Sequence, residues 1–302
     1  MSLKQHYQQI CTARKDIPIF AQPFWLDVFA EKWNVILIDE NLSIIKNIST
    51  TQTINVCAAL PFCIKGNLIT KRIYLPYFNF YQSILFFDVP DKNIQQKISE
   101  IIFENLPKVL KSYFKFLPQY SNIDLSKLNF KKSQYATYLI SDYDIKKISK
   151  NHTRNITKAV QQQYQLVESN TIAESFKVIA STFTRKKMRL NFNENEFVQL
   201  HKLVKIRKCG AVINCIDATK NILSSAVIVY DNQTVYYLLS GYDSNFRNSG
   251  AMTFLLHQLI EQHTQAGKVF NFCGSAQQSI AHFFEGSGAQ KAAISIWTRS
   301  ML

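Results

Sequence analysis

Val235-Tyr236-Tyr237-Leu238-Leu239-Ser240-Gly241-Tyr242 is followed by a polar loop, Asp243 to Gly250, and by an amphipathic run, Ala251 to Gln265. Then come Lys268-Val269-Phe270-Asn271-Phe272-Cys273-Gly274-Ser275 and Ala281-His282-Phe283-Phe284-Glu285-Gly286-Ser287-Gly288-Ala289. Thr234 to Ser240 is rich in aromatic and aliphatic residues and stops at Gly241, the composition of a buried strand. Met252, Leu255, Leu256, Leu259 and Ile260 recur at helical spacing, and Gly267 stands where a glycine closes a helix. Val269 to Phe272 reads as a short strand, parallel to the first because a crossover helix separates them, and a short helix follows it. A helix N-terminus carries unpaired N–H groups and partial positive charge, so a polar loop holding Arg247, Asn248, Ser249 and Gly250 suits a phosphate or a carboxylate.

Outward from this stretch, Cys209 to Ala218 and Ile222 to Tyr230 read as strands joined by turn residues, leading into Thr234 to Ser240. Ile172 to Lys187 and Glu194 to Lys208 read as helices, as does Asp144 to Gln163, where Arg154 and Lys158 lie four apart on one face. Such a pair grips one phosphate or remains two exposed charges. Earlier, residues 3–13 and 24–30 suit short helices, and Val35 to Asp39, Ser43 to Asn47 and Thr53 to Phe62 suit strands. A helix capped by Asp91 should run to Leu110, with strands at Tyr113 to Leu117 and Tyr135 to Ile140. Lys71 to Phe80 is dense in aromatic residues, which either fill a core corner or line a groove. Gln290 to Thr298 supplies a last strand.

The order strand, Arg-x-x-Gly loop, helix and parallel strand resembles the coenzyme-binding half of the GNAT acyltransferase fold. The chain more closely resembles the Fem-type peptidyltransferases, which place two such domains in tandem. The resemblance rests on several pieces in order: Gln22-Pro23-Phe24-Trp25-Leu26 with Trp33, Leu75-Pro76-Tyr77-Phe78, and Arg154-Asn155-Ile156-Thr157-Lys158-Ala159. The later pieces are the Arg247 to Gly250 loop, Phe270 to Ser275, and Phe283 to Ala289. It implies an α/β (α+β) fold of two tandem GNAT-like domains with mixed central sheets, at 1–143 and 144–302, the last strand able to pack towards the first domain. The implied activity is transfer of an acyl or aminoacyl group to an amine of a cell-envelope precursor such as a peptidoglycan precursor, with acyl-CoA or aminoacyl-tRNA as donor. The alternative is a non-catalytic relative that binds nucleic acid or an envelope precursor through its basic helices.

Amine acylation needs a deprotonated amine and a donor for the developing oxyanion, and it requires no metal. The catalytic candidates are His282, whose ordinary pKa is near neutrality, with Tyr237 and Tyr242. Arg247, Asn248, Ser249 and Gly250 are the candidates for the donor, and Arg154, Lys158, Asn271 and Ser275 those for the substrate. Cys273 is either a nucleophile or a buried thiol. Three positions depart from the family pattern. Met252 takes the last small position of the coenzyme loop, where a large side chain crowds a pyrophosphate. Asn271 and Cys273 stand where relatives carry acidic residues, and Phe284 where bridge-forming members carry a lysine.

Composition narrows the classes further. The 302 residues are 47% hydrophobic and 19% charged, which is globular rather than disordered and long enough for two domains. The six cysteines form no Cys-x-x-Cys pair and sit near no histidine at zinc spacing, so neither a metal site nor a disulfide framework is expected. No membrane-spanning run and no signal-peptide core are visible, and a cytoplasmic location is the expectation. The net charge is +14, and residues 1–150 hold 19 basic and 12 acidic groups against 16 and 9 in residues 151–302, so neither half is a basic tail. Arg185 to Lys208 carries eight basic residues against Glu194 and Glu196. That surplus suits tRNA, a nucleotide-linked sugar or an anionic membrane surface, or it is a solvated pair of helix faces. The oligomeric state is open.

Overall fold

The structure is a computed structural model that describes residues 1–47, 55–170, 172–275 and 277–300. The chain folds as two compact units, one of Met1–Tyr135 with Ala293–Leu302 and one of Ala136–Ala292. Each is a mixed sheet with helices packed against it, the architecture expected from the sequence.

In the first unit α1 (Leu3–Ala13), α2 (Pro23–Phe29), β1 (Lys32–Asp39), β2 (Val56–Lys65), β3 (Arg72–Tyr74), β4 (Leu85–Phe86), α3 (Lys92–Glu104) and β5 (Lys111–Lys115) follow in order. Helix α1 begins at a capping box between Ser2 and Gln5, and α3 at Asp91, whose carboxylate accepts from Asn93 and Ile94 N–H. Helix α3 stops at Glu104 rather than at Leu110, because Pro107 disfavours helix just ahead of itself. The expected strand Ser43–Asn47 is reduced to a single bridge from Ile44 to Ile38. Thr53 and Ile54, at the start of the next expected strand, lie outside the described residues. The sheet order is β1-β2-β3-β5, with Ile296–Ser300 paired antiparallel to Lys111–Lys115 beyond β5 and β4 set against β2. The stretch around Trp25 and the stretch around Phe78 meet in this core. The Trp25 Nε1–H donates to Asn79 Oδ1 at 2.8 Å, and the Phe29 and Phe78 rings lie 5.1 Å apart. The aromatic run is mostly core: Phe78, Phe80 and Tyr81 are buried, while Tyr77 is exposed.

Strand β6 (Lys131–Ile140) leads into the second unit, which holds α4 (Lys150–Gln161), β7 (Gln165–Glu168), α5 (Ile172–Arg185), α6 (Glu194–Arg207), β8 (Gly210–Ile216), β9 (Ile222–Tyr230), β10 (Thr234–Tyr242), α7 (Ala251–Gln265), β11 (Val269–Asn271) and α8 (Gln278–Glu285). Strand β12 (Gln290–Ser300) ends the fold. The second unit begins ahead of the Asp144 boundary drawn from sequence, because Leu139 and Ile140 pair with β11. Its sheet order is β6-β11-β10-β9-β8-β7, with β10 and β11 parallel and the other neighbours antiparallel. Strand β7, which the sequence reading missed, is a short edge strand of half-exposed residues with little apolar alternation to reveal it. Strand β9 is buried along nearly its whole length, so both of its faces are covered: α7 packs on one and α5 on the other. The stripe Leu255, Leu256, Leu259 and Ile260 closes on Ala226, Ile228, Val235 and Phe270. Burying such a side chain contributes about 1.5–3 kcal/mol.

Candidate active site in the second unit

The parallel strands β10 and β11 run together for three pairs, Thr234↔Val269, Val235↔Phe270 and Tyr236↔Asn271. There they part. Strand β11 ends, and the Phe272 N–H bonds the Tyr138 carbonyl of β6, while β10 continues along β9 to Tyr242. At the same level the β10–β9 register shifts between Tyr237 and Leu239, leaving Leu238 as the extra residue of a bulge. A bulged residue is left out of the ladder and re-aims the strand. Beyond Tyr236, β10 therefore has no strand partner on the side that β11 has vacated, the arrangement in which a backbone N–H can serve an acyl carbonyl.

The other arm of the fork is held by a tight turn. Cys273 and Gly274 both take left-handed backbone, with φ of 58° and 67°. The Asn271 side-chain oxygen stabilises that turn by accepting from Cys273 N–H at 2.9 Å and from Thr137 Oγ1 at 2.6 Å. Asn271, expected among the substrate-binding residues, is thus a buried brace. Ser275 stands at the rim and accepts from Gln277 N–H at 3.0 Å.

One face of the fork is closed by the end of α5. Thr182 Oγ1 accepts from Tyr242 N–H at 3.1 Å, and the Arg185 guanidinium lies 4.2 Å over the Tyr242 ring while also donating to the Tyr242 carbonyl. The Gln277 carboxamide donates to the Lys186 carbonyl at 3.3 Å. Burial, with Arg185 beside it, lowers the Lys186 ammonium pKa. Tyr242 is thereby half-buried under the Arg185 guanidinium, whereas Tyr237 is buried and donates to Met252 Sδ at 3.2 Å. Burial drives the Tyr237 phenol well above its ordinary pKa, so it keeps its proton. His282 lies on the exposed side of α8, 3.2 Å from Glu285. The structure therefore does not bring the three expected catalytic residues together.

On the other face, α4 crosses the start of α7. Gly250 takes φ of +84°, and a Cβ there would stand 2.4 Å from the Asn155 carbonyl oxygen. The missing side chain makes room for α4, and Lys158 Nζ donates to the Asn248 carbonyl at 2.8 Å. Arg247 and Asn248 are exposed and Ser249 is half-buried, its hydroxyl accepting from Ala251 N–H at 3.2 Å. Lys150, Thr153, Arg154, Thr157, Lys158 and Gln161 line one open face of α4. These positions repeat at three and four residues, so three cations share one stripe beside the loop. Of the basic run, Lys202, Lys205 and Lys208 are exposed at α6, apart from the Arg185 and Lys186 that meet the fork.

Behind this face sits a buried polar chain that the sequence reading did not find. Tyr143 OH and His257 Nδ1 are 3.0 Å apart, His257 Nε2 and His152 Nδ1 are 2.8 Å apart, and Ser287 Oγ lies 3.4 Å from His152 Nδ1. Both histidines are 2% exposed. Desolvation holds His152 down to about 4, and desolvation with the neighbouring His152 holds His257 down to about 3, so the chain is neutral near pH 7. It ties α4 to α7 and to the turn after α8.

Residues 146–278 match the family model of the acetyltransferase (GNAT) domain. Comparison with curated proteins gives no match. Among solved structures the chain is similar to FemX, at 10% identity and a TM-score of 0.67, over 98% of this chain and 96% of that one. It is also similar to L-PGS from Bacillus licheniformis, at 10% identity and a TM-score of 0.53, over 88% and 84% of the two chains. A tandem GNAT protein from the clavulanic acid biosynthesis pathway aligns at 11% identity and a TM-score of 0.53, over 98% and 94%. At these identities the likeness is one of fold. Residues 146–278, within the second unit, are thus similar to a GNAT domain, and the whole chain shares the fold of FemX and of tandem GNAT proteins.

Proposed function

We propose that this protein transfers an acyl or aminoacyl group from a phosphate-bearing donor to an amine, with the carbonyl held at the fork between β10 and β11. The observation that carries the reading is the parting of the parallel strands at the Leu238 bulge, which leaves β10 without a strand partner on that side, with the Arg185 guanidinium held at Tyr242. Attack of a neutral amine on the donor carbonyl builds negative charge on its oxygen, and preorganised N–H groups with Arg185 and Lys186 nearby suit that charge. The donor ester or thioester bond then breaks, the amine keeps the acyl group as an amide, and its proton leaves to solvent or to the departing oxygen or sulfur. The Fem-like fold makes the amine of a cell-envelope precursor peptide the first acceptor to try.

The donor we favour is aminoacyl-tRNA rather than coenzyme A. The Asn155 carbonyl fills the space beside Gly250, and Met252 occupies the small-residue position while accepting from Tyr237, so a pyrophosphate loses its close approach to the loop. Each charge-assisted hydrogen bond contributes roughly 1.5–3 kcal/mol, so losing two takes a micromolar ligand to about millimolar. The open face of α4, with Lys150, Arg154 and Lys158 in one stripe, instead suits the phosphates of a polynucleotide. Calorimetry should show coenzyme A binding near millimolar and charged tRNA binding far more tightly. Arg154→Ala with Lys158→Ala should flatten the salt dependence of tRNA binding by about two phosphate contacts. Micromolar coenzyme A binding by the wild-type chain would overturn this choice of donor.

The second reading, a non-catalytic binder of an anionic ligand, is favoured by one observation: His282 is exposed on α8 and Tyr237 is buried with its proton held. It shares the binding result and differs in giving no transfer.

A further inference from the structure

Strands β2 and β3 of the first unit are joined by Gly66-Asn67-Leu68-Ile69-Thr70-Lys71, and the two residues at its tip are unusual. Leu68 is 97% exposed and Ile69 80%. Single exposed aliphatic residues are ordinary on a protein surface. An adjacent pair of large ones held this far into water is not, and here the loop is built to hold them out. The Asn67 side-chain oxygen accepts from Ile69 N–H at 3.0 Å, from Thr70 N–H at 2.9 Å and from Thr70 Oγ1 at 3.0 Å, while Asn67 N–H donates back to Thr70 Oγ1 at 3.2 Å. Gly66, with φ of +92°, starts the turn, and a Cβ there would stand 2.6 Å from the Thr70 carbonyl. The backbone is closed on itself, so the two side chains have no route back onto the unit.

The base of the loop is cationic. Lys65 pairs with Arg72 across the hairpin, Lys71 precedes Arg72, Arg72 stands beside Lys111 on the next strand, and Lys32 stands opposite Ile64. Lys65 lies 4.1 Å over the Tyr74 ring. One carboxylate joins this group, Glu31, whose oxygen accepts from Gly66 N–H at 3.3 Å. Five cations against one anion thus surround an apolar tip of two side chains. That footprint is far too small for a stable protein–protein interface, which needs roughly 800 Å² on each partner. A bilayer makes no such demand: shallow insertion of aliphatic side chains with phosphate contacts around them gives reversible attachment.

We propose that this hairpin tip is a membrane-docking element, in which Leu68 and Ile69 enter the outer acyl region of an anionic bilayer while Lys32, Lys65, Lys71, Arg72 and Lys111 meet lipid phosphates. The attachment is weak and reversible, and it stands independently of the transfer reaction proposed above. The test is co-sedimentation of the full chain with vesicles of phosphatidylcholine containing about a third phosphatidylglycerol, beside vesicles of phosphatidylcholine alone. Wild-type protein should partition onto the anionic vesicles and be released by salt. Leu68→Ser with Ile69→Ser should lower that partition at least about tenfold, and Lys71→Gln with Arg72→Gln about fivefold per charge. All four side chains reach solvent at the loop or its base, so the melting temperature should hold and a folding defect would not explain the loss. As a second readout, Leu68→Trp should shift its emission to the blue on anionic vesicles alone. Unchanged partition in the serine variant, or equal binding to both vesicle types, overturns the proposal. So does a wild-type dimer that the serine variant dissolves without a change in vesicle binding, because the tip would then dock on a second copy of the chain.

Discussion

Acidification from pH 7 to pH 4 should strip this protein of several kcal/mol of stability, with the buried pair His152 and His257 as a principal cause. Both are held below the ordinary histidine value when folded, to about 4 and about 3, because burial penalises the imidazolium. In the unfolded chain both take up protons once the pH falls below about 6.5. The unfolded state then binds more protons, so stability is complete above that pH and is lost as the pH falls towards the folded values. The loss by pH 4 is on the order of 3 kcal/mol for each histidine. A second proton is worse than the first, since two imidazoliums would aim N–H groups at each other across 2.8 Å. Urea titrations at pH 7, 5.5 and 4.5 check this. His152→Gln with His257→Gln should lower stability at pH 7 yet flatten its decline between pH 6.5 and 4.5. An equal decline in wild type and variant would assign the acid sensitivity to other groups.

Gly241→Val should be the most damaging single substitution at the fork. A Cβ at Gly241 would stand 2.6 Å from the Ile179 Cα and 2.6 Å from the Val178 carbonyl oxygen. Both are backbone atoms of α5, so no side chain can swing away and the helix itself must lift from β10. Overpacking of this kind costs about 3 kcal/mol or more. Thr182 and Arg185 ride on the same helix and hold Tyr242, so ligand binding at the fork should fall with stability. The contrast is Gly267→Ala, where φ is +76° but nothing lies within 4 Å of the added carbon. Only left-handed strain remains there, about 1 kcal/mol. Similar urea midpoints for the two variants would show that α5 yields easily.

These two predictions also mark what the sequence could reveal. The order of strands and helices in the second unit was legible because periods of 2 and 3.6 are written locally, and the parallel pairing of β10 with β11 followed from the helix between them. The site was less legible. His257 lies about 100° round α7 from Leu256, off the apolar stripe and on the side of Thr253, so its burial is not written in the local spacing. Its partner is 105 residues away, and no spacing rule links them. Gly250 was visible as a glycine at a helix start. Its reason, the Asn155 carbonyl of α4, belongs to tertiary packing. Asn271 and Ser275 were expected as substrate-binding residues, but the turn of Cys273 and Gly274 after β11 sends the Asn271 side chain inward. Chemistry alone favoured His282, and only burial could reveal that α8 turns it to solvent.

Aminoacyl transfer by this protein is tested by an assay that reads the bond formed. An aminoacyl-tRNA holds its amino acid through an ester that mild alkali cleaves, whereas an amide survives. The full chain should be incubated with tRNA charged with labelled amino acids and with a peptide acceptor that bears a free amine, then treated with mild alkali. Label should appear in alkali-stable acceptor, dependent on the amine and reduced when Arg154 and Lys158 are both replaced by alanine. Alkali-stable product formed from acetyl-CoA at micromolar concentration, with charged tRNA giving none, would contradict aminoacyl transfer.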